Sequence, residues 1–419
     1  IRAPMLRRAL ISGARRVIAQ RDWLNKINVF PVPDGDTGSN MAFTLGSILT
    51  GALNRKASST GELLRRVSEH AIDGSRGNSG AILAQFFTGI SERIGSNTVT
   101  SLEQMSQAVQ NGAATARQAL SNPIEGTILT VITAFAEALQ HNHERLHFQQ
   151  WFESALNNAK RALANTPNQL PILQKAGVVD AGAQGFVDML DGVYQFIKDG
   201  QINLSDDAEN LSADFEVANA HLEIAECDLE HRWCTECLIL GEALDRSQLK
   251  AAISDLGSSC VVIAGSSSRI RLHAHVSNPM QLFEIASQFG RVESTKADDM
   301  QAQARTAAGN KAVVIMTDSA SDVPESLIDK LNVHCVPLRL SFGEKDYLDK
   351  VGLSTQDFYQ KLRTEIVLPK TSQPSPGDFR RQFEFLLSHH PQVVYVGISR
   401  AISGTLQSAE AAANRGHAN

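Results

Sequence analysis

The sequence predicts a multidomain protein with an all-α bundle over residues 1–200, an α+β domain over 215–300 and an α/β half-domain over 311–419. The first part shows helical periodicity and no alternating β pattern of any length. The second has the order β-α-β-β-α-β, with strands at 232–241, 259–264, 269–276 and 291–294, which is the ferredoxin-like split motif. The third opens on an apolar run at 312–316, typical of a buried parallel strand, and then alternates strand and helix patterns, with the next strand at 333–338.

The composition describes a globular chain and excludes several partners. With 419 residues, of which 42% are hydrophobic, the chain is long enough for several domains with separate cores. A net charge of -6 without a basic block argues against nucleic acid and against a polybasic membrane surface. Five scattered cysteines favour a reducing compartment, and no apolar stretch approaches the ~20 residues that span a bilayer. We expect a cytoplasmic protein with no nucleic-acid partner and no stable membrane insertion.

Apolar periodicity predicts the helices of the first part. Residues 4–26 carry a broad apolar face, and a second helix begins at Ser39 or Asn40, either of which can cap it, and ends near Asn54. Further helices are expected at Gly61–Ile72, 101–120, 126–141, 147–165 and 182–198. A polar, acidic linker follows at 200–215, and a polar helix or linker is expected at 297–310 before the last part.

A cation loop, defined as residues 28–41, separates the first two helices and is rich in proline and glycine. It places Asp34 and Asp36 two residues apart, and Mg²⁺ takes one or two protein carboxylates while leaving other positions to nucleotide phosphates. No Gly-Lys-Ser or Gly-Lys-Thr follows a strand, so a Walker A loop is excluded and cations and helix ends must hold the nucleotide. The alternative is an ordinary turn whose solvated acids cap a helix.

A second glycine-rich segment, 74–80, interrupts the helical pattern just before Ala81. It contains Asn78, Ser79 and Gly80, and the backbone amides of such a loop can approach a phosphate closely. The alternative is a tight turn between two helices, in which the small residues serve packing.

The middle domain carries a candidate metal group. His273 and His275 are two apart on one predicted strand, so both imidazoles point to one face. Cys234 and Cys237 lie on the first strand, which in this topology lies beside the third, but Cys237 has the opposite parity. Cysteine with two histidines is a common zinc set. The alternative is an exposed histidine face with two small cysteines in the core.

Four ordered segments resemble the DhaL-type ATP-binding domain of dihydroxyacetone kinases, in the version that bacterial fatty acid kinases carry. They are Asn28–Met41, Ser75–Ala81, Glu125–Thr130 and Gly177–Ala183. The resemblance implies about eight helices. It also implies catalysis with ATP and Mg²⁺, in which Asp34 and Asp36 hold the metal and Asn28 stands where dihydroxyacetone kinases have a third aspartate. The nucleotide contacts it implies are Ser39, Asn40, Asn78, Ser79, Gly80, Thr127 and Asp180.

The later domains resemble two further families. Middle domains of fatty acid kinases carry Cys-Thr-Glu and His-x-His, which implies a structural zinc on Cys234, His273 and His275 with its fourth ligand unassigned. Thr317–Pro324, Thr371–Ser375 and Gly397–Thr405 resemble the DegV family of fatty-acid-binding proteins. This implies that Thr371, Ser372 and Ser403 hold a fatty acid carboxylate, although such hydroxyls are also common helix caps. DegV proteins continue into a second lobe, so we expect this sequence to be a fragment or its lipid tunnel to be incomplete.

Together the resemblances imply a fatty acid kinase fused to its lipid-presenting partner. Such an enzyme converts a long-chain fatty acid into an acyl phosphate, and the resemblance implies a homodimer. A carboxylate nucleophile is already ionised at neutral pH, so no strong general base is needed. Two alternatives remain open: a small-polyol kinase like dihydroxyacetone kinase, and a non-catalytic acyl-lipid sensor regulated by nucleotide.

Overall fold

The computed structural model describes residues 1–31, 35–142, 147–199, 231–307, 312–343 and 345–416. The chain is multidomain, with a helical N-terminal region followed by sheet-containing middle and C-terminal regions. The described helices of the first region are α1 (Ala3–Ala19), α2 (Arg21–Lys26), α3 (Thr37–Ser47), α4 (Thr60–Gly74), α5 (Gly77–Ile94), α6 (Leu102–Gln118), α7 (Ile128–Asn142), α8 (Phe148–Gln169), α9 (Pro171–Ala176) and α10 (Ala181–Asp199).

Helix α5 forms the centre of the helical bundle. It is apolar around most of its circumference, and a helix with that pattern belongs in a core. Leu83, Phe86 and Phe87 are all buried. The ring of Phe86 meets the ring of Phe186 on α10 edge to face, with 5.4 Å between the centroids. The start of α5 is therefore held by a packed core behind it.

Two predicted helices differ in extent from the structure. The segment expected at 4–26 is two helices, which separate at Gln20 because α2 turns to bury Leu24 and to receive Gly38 of α3 against its backbone. The second predicted helix begins at Thr37, and after α3 it continues as a π-helical turn over Ile48–Ala52. Tertiary packing overrides the local pattern in both places.

Of the two interpretations of the glycine-rich segment 74–80, the structure shows the tight turn between two helices. Helix α4 ends at Gly74, only two residues separate it from α5, and Gly77–Gly80 form the first turn of α5. Gly77 has φ of +56°, a region that favours glycine, and a side chain there would collide with Asn40 of α3. The small residues therefore allow α5 to start directly against α3.

The middle region is a four-stranded antiparallel sheet. Its elements are β1 (Trp233–Leu240), α11 (Arg246–Asp255), β2 (Ser259–Gly265), β3 (Arg269–Val276), α12 (Pro279–Phe289) and β4 (Arg291–Asp299), followed by α13 (Met300–Ala307). The strand order is β2-β3-β1-β4, so the first strand lies beside the third, as predicted. The strand expected at 291–294 is longer because β4 pairs along β1 until Asp299 stands opposite Trp233.

The helical region covers one face and one edge of this sheet. Val262 and Ala264 of β2 are buried in one cluster with Ala81 and Ala119. At the edge, Ile263 N donates to Ala119 O at 3.0 Å, and residues 119–121 continue the sheet beyond β2. The two regions share a core, so the start of α5 is fixed relative to β1 and β3.

The C-terminal region contains two three-stranded sheets. Its elements are β5 (Val313–Asp318), α14 (Glu325–Leu331), β6 (His334–Val336), β7 (Arg339–Phe342), β8 (Lys345–Leu348), α15 (Thr355–Thr364), β9 (Lys370–Ser372), α16 (Pro376–His389), β10 (Gln392–Val396) and α17 (Thr405–Gly416). The order β10-β5-β6 is parallel, and β8-β7-β9 is antiparallel. The strand expected at 333–338 is the shorter β6, which ends at Val336 because Pro337 lacks the N–H that a ladder needs.

Three sequence predictions concern connections and membranes. The linker 200–215 lies outside the described residues. The polar helix or linker expected at 297–310 is the end of β4, then α13, and then residues that are not described. Among the described helices, none combines the length and the apolar character needed to cross a membrane.

Asp188 on α10 makes the stability of the helical region depend on pH. It is buried, its Oδ1 accepts a hydrogen bond from Gln184 Nε2 at 2.9 Å, and its Oδ2 has no hydrogen-bond partner. Burial raises the pKa of this carboxyl to about 6, against the lowering effects of Gln184 and Arg16. The folded state therefore holds the proton to higher pH than the unfolded chain, and stability is lost as the pH rises from about 4 to about 6.

We expect Asp188→Asn to gain stability relative to the wild type as the pH rises. The gain between pH 4 and pH 7 is on the order of 2 kcal/mol, because the amide keeps the shape and the acceptor but carries no charge. Urea unfolding followed by the helical circular-dichroism signal at both pH values measures it. A difference between the two proteins that stays constant with pH would contradict the prediction.

Candidate functional site

The N-terminal ends of α3, α5, α7 and α10 meet at one end of the helical bundle. Gly77 lies directly against Asn40, which is in the first turn of α3. A Cβ on Gly182, in the first turn of α10, would lie 2.9 Å from Ser79 Oγ and 3.4 Å from Cβ of Ile128, the first residue of α7. Helix N-termini carry positive partial charge and unpaired N–H groups. Their convergence is suited to an anion such as the phosphates of a nucleotide.

The cation loop is described only in part. Asp34, one of the two predicted magnesium ligands, lies outside the described residues. Asp36 immediately precedes α3, and its carbonyl accepts from Asn40 N at 2.8 Å. Asn28 is buried, and its Oδ1 accepts from Thr37 Oγ1 at 2.9 Å. The described part of the loop thus offers oxygen donors beside a helix N-terminus, the ligand type that Mg²⁺ prefers.

Two of the predicted nucleotide residues have different surroundings. Ser39 pairs with Asn25 of α2, because Ser39 Oγ accepts from Asn25 Nδ2 at 2.9 Å and Ser39 N donates to Asn25 Oδ1 at 3.0 Å. Asn78 Oδ1, at the start of α5, is buried without a hydrogen-bond partner. Buried polar atoms in native proteins are nearly always paired, so this oxygen fits a site that receives a ligand.

Asp180 and Thr127 hold the helix ends together. The carboxylate of Asp180 is buried, and its Oδ2 accepts from Ala183 N at 2.8 Å. Burial raises the pKa of Asp180 to about 6, against the backbone amides of Ala183 and Ile128, which favour the charged form. Thr127 Oγ1 donates to Ile124 O at 2.7 Å. Asp180 thereby connects the starts of α7 and α10, two of the four helix ends that meet here.

Three side chains of the middle sheet form a compact group of metal-binding type: Cys234 on β1, and His273 and His275 on β3. One ligand atom from each lies within 4.8 Å of the other two, and no fourth His, Cys, Asp or Glu joins them in the described part of the chain. Both histidines are buried, so they are not the exposed face of the alternative interpretation. His273 Nε2 has no hydrogen-bond partner, and the sulfur and nitrogen donors fit zinc. Cys237 lies in the apolar core on the other face, as its parity predicted.

The electrostatics of this group prepare Cys234 to bind a metal, whereas a metal would have to displace a proton from His273. Burial opposes ionisation of the Cys234 thiol, but His273 and His275 outweigh burial and lower the pKa of the thiol to about 7. Burial likewise opposes charge on His273, but Cys234 and Glu236 raise the pKa of its imidazole to about 9. The thiolate is the form that binds metal, so Cys234 is prepared for that role.

The sheet reaches the start of α5 through two buried charged side chains that the sequence analysis missed. Glu236 Oε1 accepts from Gly77 N at 2.7 Å and from Nδ1 of His273 at 3.0 Å. Arg271 Nε and Nη2 both donate to Ser75 O, each at 3.1 Å. Both side chains share the sheet face of the metal group, which was the only signal in the sequence. Their partners lie 159 and 196 residues away in the chain, beyond any local pattern.

The predicted lipid-binding hydroxyls lie together in the C-terminal region. Thr371 and Ser372 are exposed on β9, and Ser403 precedes α17. Gln373 Nε2 donates to Ser408 Oγ at 3.1 Å, which joins the two segments. Within the described residues, no hydrogen bond or ion pair connects the three hydroxyl groups to the helical region.

Helix α16 of the C-terminal region approaches the cation loop. A Cβ on Gly35 would lie 3.0 Å from Cε1 of His389. Arg21 Nη1 on α2 lies 3.5 Å from Glu384 Oε1 on α16. The C-terminal region of the same chain is thus a neighbour of the site at the helix ends.

Three family models match the chain in order. The DAK2 domain model matches residues 31–195, and the model of the FakA-like middle domain of fatty acid kinases matches 230–307. The DegV family model matches 312–418. The chain therefore carries a DAK2 domain, a FakA-like middle domain and a DegV domain in that order, and the resemblance found in the sequence is confirmed.

Individual relatives match shorter parts. An uncharacterised protein of Staphylococcus saprophyticus is 31% identical over 302 residues, which are 71% of this chain and 54% of the relative. The chain spans about half the length of the curated relatives it matches. A DegV family protein from Thermus thermophilus, solved for its fatty acid binding, is 37% identical with a TM-score of 0.24, over 26% of this chain and 39% of that one. The dihydroxyacetone kinase of C. freundii, solved with AMP-PNP and Mg²⁺, is 17% identical with a TM-score of 0.36, over 45% of this chain and 33% of that one.

We expect protein purified without chelator to contain about one zinc per chain, the content of a single tetrahedral site. His273→Ala and Cys234→Ala should lose the zinc because each removes a ligand. Cys237→Ala is the matched control, since that thiol lies on the other face of the same strand. Metal analysis of the four proteins is the measurement, and an unchanged zinc content in His273→Ala would leave the histidines without a metal role.

We expect Asp34→Ala and Asp36→Ala each to weaken Mg²⁺-dependent ADP binding at least a hundredfold, because the phosphate charge loses a bound cation. Asp22→Ala is the control, since the carboxylate of Asp22 is exposed and lies outside the segment 28–41. Calorimetric titration gives the affinities, and circular dichroism checks that the helices are intact. Unchanged affinity in both variants would exclude the cation-loop assignment.

Proposed function

We propose that this chain transfers the γ-phosphoryl group of ATP to the carboxylate of a long-chain fatty acid and so forms an acyl phosphate. The observation that carries the proposal is that three domains meet around one site. The DAK2 domain contributes the helix ends, the FakA-like domain contacts the start of α5, and α16 of the DegV domain adjoins the cation loop. The description of the middle-domain model names a fatty acid kinase, which supports a fatty acid as the acceptor.

In this proposal the four helix ends, with Asn40, Ser79 and Gly80, bind the phosphates of ATP. The N–H groups and the positive helix ends compensate the charge of the β- and γ-phosphates. Asp34 and Asp36, assisted by Asn28, hold Mg²⁺, which supplies charge neutralisation at the phosphates when it is bound. This arrangement needs no Walker A lysine.

The proposed phosphoryl transfer requires little from the protein beyond positioning the carboxylate and the γ-phosphate. An oxygen of the ionised fatty acid carboxylate forms a bond to the γ-phosphorus, and the bond between that phosphorus and the bridging oxygen breaks. The electron pair of the broken bond stays on the β-phosphate of ADP. No proton is transferred, so the absence of a general base among the proposed catalytic residues is consistent with the reaction.

The other domains support this transfer. The middle domain is a ferredoxin-like sheet in which Cys234, His273 and His275 would hold a structural zinc and so connect β1 to β3. In the DegV domain, Thr371, Ser372 and Ser403 hold the fatty acid carboxylate before transfer. Neutral hydroxyl donors suit a carboxylate that must later be released, because they bind it without an ion pair.

We expect Mg·ATP and a long-chain fatty acid together to give ADP and, in the presence of hydroxylamine, an equal amount of acyl hydroxamate. The assay includes a separately supplied DegV-type fatty-acid-binding protein loaded with the lipid, so that presentation of the fatty acid does not limit the rate. The fatty alcohol of the same chain length should give neither product, since it lacks the carboxylate. Asp36→Ala should lower the rate at least a hundredfold, as a bound cation stabilises the transferring group by several kcal/mol.

The same assay separates the alternatives. ADP formed with dihydroxyacetone but not with the fatty acid would identify a small-polyol kinase. Nucleotide binding without turnover in any mixture would identify a nucleotide-regulated lipid sensor. Either result would overturn the proposed function.

A further inference from the structure

The segment that begins α5 is held from the middle sheet by groups of opposite charge. Glu236 accepts the N–H of Gly77, and Arg271 donates twice to the carbonyl of Ser75. Both side chains are 1% exposed, so no water competes for these contacts. An ionic group buried this completely is stabilised only by specific partners, which makes the contacts restrictive in geometry.

The same oxygen of Glu236 also contacts the metal group. Oε1 of Glu236 accepts from Nδ1 of His273 at 3.0 Å as well as from Gly77 N at 2.7 Å. The same Nδ1 also lies 3.9 Å from Cys234 Sγ, so Glu236 fixes the orientation of the imidazole beside the thiol of the metal group. His273 Nε2, the other nitrogen, is the buried atom without a partner.

One side chain therefore touches both sites. On one side of Glu236 stands a candidate ligand of the metal, and on the other stands the first amide of α5, whose neighbours Asn78, Ser79 and Gly80 are the candidate phosphate contacts. The β1 and β3 register, which sets Glu236 opposite His273, keeps the connection in one geometry. A change in the orientation of the His273 imidazole is therefore transmitted to the Gly77 amide through one atom, Glu236 Oε1.

We propose that Glu236 is a positioning residue that couples metal binding in the middle domain to nucleotide binding at the helix ends. Zinc on His273 fixes the imidazole, the imidazole fixes Glu236 Oε1, and Glu236 fixes the Gly77 amide at the start of α5. The inference rests on the nucleotide and metal sites of the proposed function but not on acyl transfer. Binding coupling is reciprocal, so nucleotide must tighten zinc by the factor with which zinc tightens nucleotide.

The test uses the whole chain and measures two quantities: the factor by which zinc tightens nucleotide binding, and the factor by which nucleotide tightens zinc binding. ADP with Mg²⁺ is titrated calorimetrically into zinc-loaded protein, into protein stripped by a zinc-selective chelator that is then removed, and into stripped protein with zinc restored. Zinc affinity is measured by competition with a chromophoric chelator, with and without Mg·ADP. We expect a factor of at least five, the lower end of typical coupling between sites, and the same factor from both measurements.

Three substitutions at position 236 test whether Glu236 Oε1 carries the coupling between the two sites. Glu236→Gln keeps an acceptor oxygen of the same reach and should keep most of the factor. Glu236→Asp keeps the charge but withdraws the carboxylate by one methylene, so it cannot reach Gly77 and His273 together and should reduce the factor. Glu236→Leu has no acceptor and should bring the factor to one. If Glu236→Leu does not fold, the comparison of Gln with Asp carries the assignment.

The chain offers a matched control in Gln85. Its Oε1 accepts from Gly265 N at 2.8 Å, so it is also a buried side-chain acceptor that joins α5 to the middle sheet, but it touches neither site. Gln85→Met should keep the full factor.

Each outcome decides the proposal. A factor of one in the wild type, an unequal factor in the two directions, or failure of the chain to bind zinc or Mg·ADP would overturn it. An unchanged factor in Glu236→Asp and Glu236→Leu, or an equal loss in Gln85→Met, would show that Glu236 is not the connection. Full coupling in a protein that forms no acyl phosphate would support the coupling and refute the proposed reaction.

Discussion

The carboxylate of Glu236 is the contact on which the geometry of the candidate site depends. A charge buried this deeply costs several kcal/mol unless its partners replace the lost water. Burial opposes its ionisation, but Lys296 and His273 outweigh burial and hold the pKa of Glu236 well below its usual range. The group is therefore a fixed anion at all ordinary pH values. Its two hydrogen bonds then leave the start of α5 and the ring of His273 little freedom to move independently.

This dependence gives the middle sheet a role in the site at the helix ends. The N-terminal ends of four helices bring positive charge to one point. Helix α5 begins only two residues after α4 ends, and the hydrogen bonds to Gly77 N and Ser75 O at this break come from β1 and β3. The helical region alone would leave Ser75 O and Gly77 N without these partners. A DAK2 domain in this chain is thus completed by its neighbour, which agrees with the shared core around Ala81 and Val262.

In the C-terminal region, the contact with the helical region and the predicted lipid-binding hydroxyls lie on different elements. Helix α16 adjoins the cation loop through His389 and contacts α2 through Glu384, while the predicted lipid-binding hydroxyls are on β9 and before α17. In the proposed reaction the fatty acid carboxylate must therefore leave those hydroxyls and reach the helix ends.

Local sequence patterns predicted most of the helices and strands. The features that they did not predict depend on packing between residues far apart in the chain. The parity of Cys234, Cys237, His273 and His275 was enough to place three of them on one face and the fourth in the core. The break at Gln20 and the helical state of Gly77–Gly80 were not predictable, because both depend on contacts with α3 that no local pattern records. Glu236 lies two residues from Cys234 on the same face, yet its partner Gly77 belongs to another domain.

Amide hydrogen exchange of the segment 75–80 tests the central claim most directly, since it reports on the Gly77 N–H that Glu236 accepts. The account predicts slow exchange of Gly77 in the wild type and in Gln85→Met, and exchange faster by at least tenfold in Glu236→Leu with the rest of α5 still protected. Fast exchange of Gly77 in the folded wild type, or equal protection with and without the carboxylate, would contradict it.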